Sequence, residues 1–190
     1  ALLNLIPQHA GILMLGWMRS PEEVGLYKVA YQTASLIPFG LMAVSTAIAP
    51  TLAQLYALED KAKLRKVMLT ASAVATAFAL PFVLLFTIRG AWFLGVAFGE
   101  AFTTSATALA IITGGQVINA ATGPVGYLLI MSGHENKATF SVGIGAGLNL
   151  LLNLVFILFW GIEGAAAATA GTFGVVNLLM VYFTFRVLGS

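Results

Sequence analysis

The chain has 190 residues, of which 59% are hydrophobic and 8% charged, with a formal net charge of +2 and a mean hydropathy of +0.96. A water-soluble domain carries about 25% charged residues, so this composition excludes one and defines an all-α, polytopic helical membrane protein. The few charges form no basic, aromatic-interleaved surface for nucleic acid, and the lack of Cys excludes a disulfide framework or a thiolate metal site.

Ala1 is followed at once by apolar residues, with neither Met nor a basic leader, which predicts a fragment opening inside or at the lip of a helix. The first span is expected over 2–18, short and carrying Asn4, Pro7, Gln8 and His9. Ser20-Pro21-Glu22-Glu23 then reads as a helix start, with Ser20 as cap, Pro21 at the first helical position and Glu23 able to close a capping box. The helix begun there is expected to reach about Tyr56, with the second span at 24–56 and kinks at Pro38 and Pro50.

Residues 59–66 (EDKAKLRK) are the most charged stretch, and a third span follows over 67–88 with Pro81 inside it. Residues 89–102 place Trp92, Phe93, Phe98 and Phe102 among glycines, a pattern suited to the membrane interface. Further spans are expected over 104–132, 138–160 and 164–185. No carboxylate, Lys or Arg interrupts 101–134 or 138–162, and a span needs roughly 20 apolar residues. These runs are continuous rather than alternating, which argues against a transmembrane barrel. No repeat or linker divides them, so 1–190 is expected to be one bundle of about six transmembrane helices. Lys61, Lys63, Arg65, Lys66, Lys137 and Arg186 fall on one side of that topology. Arg19 and Arg89 fall on the other, with Lys28 just inside the second helix. The positive-inside rule therefore predicts both chain ends in the cytoplasm.

Polar residues inside the spans are the functional candidates. Gln116, Asn119 and Gly123 share one helix face, Asn149 and Asn153 share another at i, i+4, and Asn177 lies midway along the last span. Amides at membrane depth must face other helices or a wet cavity, so they either bond helix to helix or line a translocation path. Lys28, with Gln32 and Ser35 on its face, either snorkels to the surface or meets an anionic head group. His9 reads as a neutral histidine bonded within the bundle. Gly123-Pro124 is a weak point that serves packing or acts as a hinge, with Pro38 a second hinge candidate. Gly143 and Gly147 form a GxxxG pair, continued by Gly164, Ala168 and Thr172, as in close helix packing. There is no phosphate-binding loop of the GxxxxGK type, no HExxH, no GxSxG and no paired intramembrane acids, so no enzyme activity, cofactor or metal is expected.

The ordered blocks ILMLGWMRSPEEVGLYKVAYQTASLIP, AIAPTLAQLY, FLGVAFGEAF, INAATGPVGYLLIMSGHENKA, LNLLLN and GIEGAAAATA resemble the polysaccharide-biosynthesis flippases. These are lipid-linked oligosaccharide exporters of the multidrug/oligosaccharidyl-lipid/polysaccharide exporter superfamily. The resemblance covers essentially the whole chain, most specifically over 123–133 and 161–166. It implies the C-terminal half of a two-bundle exporter in the cell membrane, lacking its N-terminal helix bundle. Such a protein moves a lipid-linked sugar across the bilayer by alternating access. The family often carries an Asp where this chain has Gly11, so no role for an acid transfers there. A multidrug/cation antiporter of the same superfamily and a non-transporting scaffold of a polysaccharide assembly complex are the other readings.

Overall fold

The computed structural model describes residues 2–189, and the side chains of 9–188. Among the described residues it is all helical. Four runs are long and apolar enough to cross a bilayer: Pro38–Ala57, Lys61–Ile88, Glu100–Thr122 and Glu135–Leu188. Large apolar side chains such as Trp17, Leu13 and Phe159 stand exposed, a surface that only hydrocarbon or another apolar protein face can cover.

Helix α1 spans Leu2–Met18; the side chains of Asn4, Pro7 and Gln8 lie outside the described residues. Arg19 follows it and donates to the carbonyl oxygens of Ile157 (2.7 Å) and Leu158 (3.0 Å). A guanidinium is well placed there, because the last carbonyls of a helix carry partial negative charge and lack partners of their own. Helix α2 (Pro21–Ala34) starts as its sequence dictates, with Ser20 Oγ accepting from the Glu23 amide at 3.4 Å and Pro21 in the first turn.

Where one kinked helix is expected from 21 to 56, two stand. The chain leaves α2 through tight turns and re-enters a helix as α3 (Pro38–Ala57). Pro38 has no N–H to give the preceding turn, and i→i−3 bonds of Leu36 to Thr33 and Ile37 to Ala34 bridge the gap. Pro50, by contrast, is accommodated within α3.

Asp60 caps α4 (Lys61–Ile88), accepting from the Lys63 amide at 3.0 Å while its other oxygen pairs with Lys63 Nζ at 2.8 Å. These bonds hold the Asp60 carboxyl below the usual carboxylate range. A short α5 (Gly90–Phe98) and a 3₁₀ turn (Glu100–Ser105) lead into α6 (Ala106–Thr122). The fourth span is broken too: α7 (Val125–Met131) starts after Gly123 and Pro124. Gly123 takes φ 71° and ψ −154°, and a side chain there would collide with Ser72 of α4.

The helical run Glu135–Gly189 folds back on itself at Gly161 (φ 54°, ψ −125°), making a hairpin of α8 (135–160) and α9 (162–189). Beyond that turn α9 crosses α8 so closely that a side chain at Gly164 would strike the Phe156 carbonyl, and one at Gly145 would strike Val176. The GxxxG pair plays no part in this contact, since Gly143 and Gly147 face open space. Gly145, Gly164, Ala168 and Thr172 form the packed line instead. The largest core joins α1, α2, α4, α6 and the hairpin around Leu15, Tyr27, Phe86, Leu109, Ile112 and Ile157.

Gly164→Ala should therefore cost about 2 kcal/mol or more of stability, because backbone cannot yield as a side chain does. Gly143→Ala should leave stability unchanged or raise it by up to about 1 kcal/mol. Thermal unfolding of the full chain in detergent compares the two.

Candidate functional site

The interior amides separate into two groups. The first is sealed in the hairpin. Asn153 Nδ2 donates to the Asn149 backbone oxygen (2.8 Å) and to Asn149 Oδ1 (2.9 Å); Asn149 Nδ2 donates to Thr172 Oγ1 (3.0 Å), which donates to the Ala168 carbonyl (2.7 Å). Asn149, Asn153 and Thr172 are all buried, and none lines the cleft described below. A similar tie joins Tyr27 to Thr169, whose hydroxyl oxygens are 2.8 Å apart.

The second group lies on α6. A side chain at Gly115 would stand 2.7 Å from the Ala170 Cα, so α6 lies close against α9 at mid-depth. Two turns further on, Thr122 Oγ1 donates to Asn177 Oδ1 at 2.9 Å, while Asn177 Nδ2 donates to the Phe173 carbonyl at 2.9 Å. Gln116 and Asn119 stand to one side of this seam. Asn119 Nδ2 donates to Gln116 Oε1 at 3.2 Å. That bond leaves the Gln116 amide nitrogen and the Asn119 carbonyl oxygen for other partners.

Those two amides form one wall of a cleft of about 430 Å³. Tyr31 of α2, Ser35 just past its end, Pro38 at the helix break, and Phe39 and Met42 of α3 form the opposite wall, and Phe173 of α9 closes one side. Gln116 lies ten residues into α6, about 15 Å along its axis, so the cleft sits deep within the membrane thickness. Its lining combines amides, hydroxyls and aromatic faces, and carries no formal charge. The structure thus brings Pro38, Gln116 and Asn119 together. Lys28 and Gln32 are exposed further along α2, outside the cleft. His9 is exposed, and no hydrogen bond ties it into the bundle among the described residues. Gly123 and Pro124 are buried at the α6–α7 break, away from the cleft.

Sequence reasoning did not single out Tyr31, Phe39, Met42 or Phe173. Tyr31 stands four residues before Ser35 on the face already marked by its polar neighbours, which was a usable signal. Phe173 gave none, because it reaches the cleft only through the hairpin's return. A second, more open cleft of about 540 Å³ lies at the hairpin turn, where Arg19, Glu23 and Glu163 face Phe159 and Trp160.

Broken apolar helices around a charge-free polar cleft define a multi-pass helical membrane protein with a cavity at membrane depth. Residues 1–107 match the family model described as polysaccharide biosynthesis protein, and the chain belongs to that family. The match covers α1 to α5, hence the Tyr31–Pro38 wall of the cleft but not Gln116 and Asn119. Over 172 residues the chain is 24% identical to a protein of Haloferax volcanii named "Probable low-salt glycan biosynthesis flippase Agl15". The alignment takes in 90% of this chain and 36% of that relative, so the chain spans about a third of the relative's length. No solved structure matches.

Cysteine substitution in the otherwise Cys-free chain tests this sorting of amides. Asn119→Cys should react with a membrane-impermeant maleimide, while Asn149→Cys and Asn153→Cys should react at least about tenfold more slowly, being sealed from water. Equal rates at all three would show that the hairpin is not dry.

Proposed function

We propose that the chain forms half of a flippase carrying a lipid-linked oligosaccharide from the cytoplasmic to the outer leaflet of the cell membrane by alternating access. The observation that carries this reading is the amide-lined cleft beside the Pro38 break, in a chain of the polysaccharide biosynthesis family. A sugar entering hydrocarbon loses its hydrogen bonds to water, at several kcal/mol for each group left unsatisfied. Gln116 and Asn119 offer both donors and acceptors in replacement, and the aromatic faces of Tyr31, Phe39 and Phe173 suit the apolar faces of a sugar ring.

In this reading Lys28 and Gln32 stand at the approach to the path. Asn149, Asn153 and Asn177 hold the frame that the cleft is built on. The breaks at Pro38 and at Gly123-Pro124 allow one opening to exchange for the other. A second bundle, contributed by sequence outside 1–190, closes the cavity, and the basic loops with both ends of 1–190 face the cytoplasm. The protein performs no covalent chemistry on its cargo. The charge-free lining favours this cargo over the cations of an antiporter, which call for a buried carboxylate.

Reconstituted into vesicles, the full-length protein should move a fluorescent lipid-linked oligosaccharide between leaflets. Gln116→Leu and Asn119→Leu should each slow that movement about tenfold, the equivalent of one or two hydrogen bonds, without loss of folded protein. Failure to move the substrate under any ion gradient would overturn the reading.

A further inference from the structure

On the other side of α6 from the amide cleft lies a groove of about 360 Å³. Its walls are two helical stripes: Arg65, Met68, Leu69 and Ser72 of α4, and Val181, Thr184, Phe185 and Leu188 of α9. Ala121, Thr122 and Val125 form the floor, straight across the α6–α7 break. The stripes run antiparallel. Leu64 and Leu188 line a common depression at the basic end of the bundle, so Arg65 marks the mouth and Ser72 with Val181 the inner end.

Of the four polar side chains on this otherwise apolar surface, Ser72 bonds back to Met68 and Thr122 contacts Asn177, which leaves Arg65 and Thr184. Arg65 is exposed and has no ion pair among the described residues, where the one salt bridge joins Lys63 to Asp60. Thr184 lies one helical turn, about 6 Å, inward of Leu188. It is 94% buried, yet its hydroxyl has no hydrogen-bond partner among the described residues. A buried hydroxyl without a partner is costly, and most threonines in helices escape that cost by bonding back to the preceding turn, as Ser72 does to Met68 here.

We infer that the groove is a binding site for an anionic glycerophospholipid of the surrounding bilayer. The phosphate meets the Arg65 guanidinium, which suits phosphate oxygens in pairs. A few bonds inward, the ester or ether oxygen of the glycerol accepts from Thr184, and one chain lies along Met68, Leu69, Val181 and Val125. Charge favours the same occupant. Lys61, Lys63, Arg65, Lys66, Lys137 and Arg186 stand at this end against Glu59, Asp60 and Glu135, and anionic lipid gathers at such clusters. A polyprenyl phosphate fits less well, since it has a phosphate but no glycerol oxygen at the depth of Thr184. The groove also touches the moving part of the fold, because Ser72, in its wall, packs on Gly123. A bound lipid therefore braces the α6–α7 break. None of this rests on the identity of the transported cargo.

The test is photolabelling of the full-length protein in nanodiscs with phosphatidylglycerol bearing a diazirine in one acyl chain, read by peptide mass mapping. Label should fall on residues 68–72 and 181–185. It should drop about tenfold with R65Q and about fivefold with T184V, matching the loss of a charge-assisted and a neutral hydrogen bond. T184V should also leave the lipid-free melting temperature unchanged or raised while shrinking the rise produced by added phosphatidylglycerol. Equal labelling by the phosphatidylcholine analogue, or labelling indifferent to both variants, would reduce the groove to ordinary boundary lipid and overturn the inference. So would label absent from both segments. A polyprenyl phosphate that competes better than phosphatidylglycerol would name a different occupant and overturn it too. Should R65Q fail to fold, T184V and the lipid comparison decide alone.

Discussion

Hydrocarbon offers a polar group no partner, so an amide, hydroxyl or unpaired carbonyl at membrane depth carries a cost unless it finds one inside the protein or faces water. The rest of this structure follows from how that requirement is met. The Asn149–Asn153–Thr172 chain meets most of it by mutual bonding, leaving only the Asn153 Oδ1 of its side-chain atoms without a partner, and thereby holds α8 to α9. The Thr122–Asn177 contact does the same between α6 and α9. Arg19 meets it for the end of α8 by donating to carbonyls that the helix itself leaves open. Gln116 and Asn119 retain capacity beyond their own bond, and both face the cleft.

Helix breaks decide where such capacity is exposed. At Pro38 the missing N–H separates α2 from α3 and opens room opposite α6; at Gly123-Pro124 a positive φ separates α6 from α7. The two breaks lie on different sides of α6, one beside the amide cleft and the other under the apolar groove. Between them runs the α6–α9 seam, tight enough at Gly115 that the two spaces remain separate. One helix thus serves a polar space and a lipid-like space on opposite faces.

The all-helical class, the membrane setting and the kinship with polysaccharide biosynthesis proteins were legible in the sequence. Long uncharged apolar runs and ordered Gly/Pro blocks are local signals, and local signals survive without coordinates. The hairpin turn could be anticipated between 160 and 164, but its packing line could not. Gly143 and Gly147 have the spacing of a packed pair, yet Gly145, on the other face, meets Val176. Spacing reports which residues share a face, not which face meets a neighbour.

The same limit governs the site. Sequence determined which polar side chains lay within or beside the spans, because each is an exception in an apolar run. Tertiary structure alone decided that Asn149 and Asn153 seal a hairpin, that Lys28 and Gln32 stand outside, and that Gln116 and Asn119 face Tyr31 and Phe173 across a cleft. Composition settles the solvent a chain must live in, since that is a sum over residues. Whether one amide is dry or wet depends on which helix arrives opposite it, a matter of long-range packing that no single stretch of sequence contains.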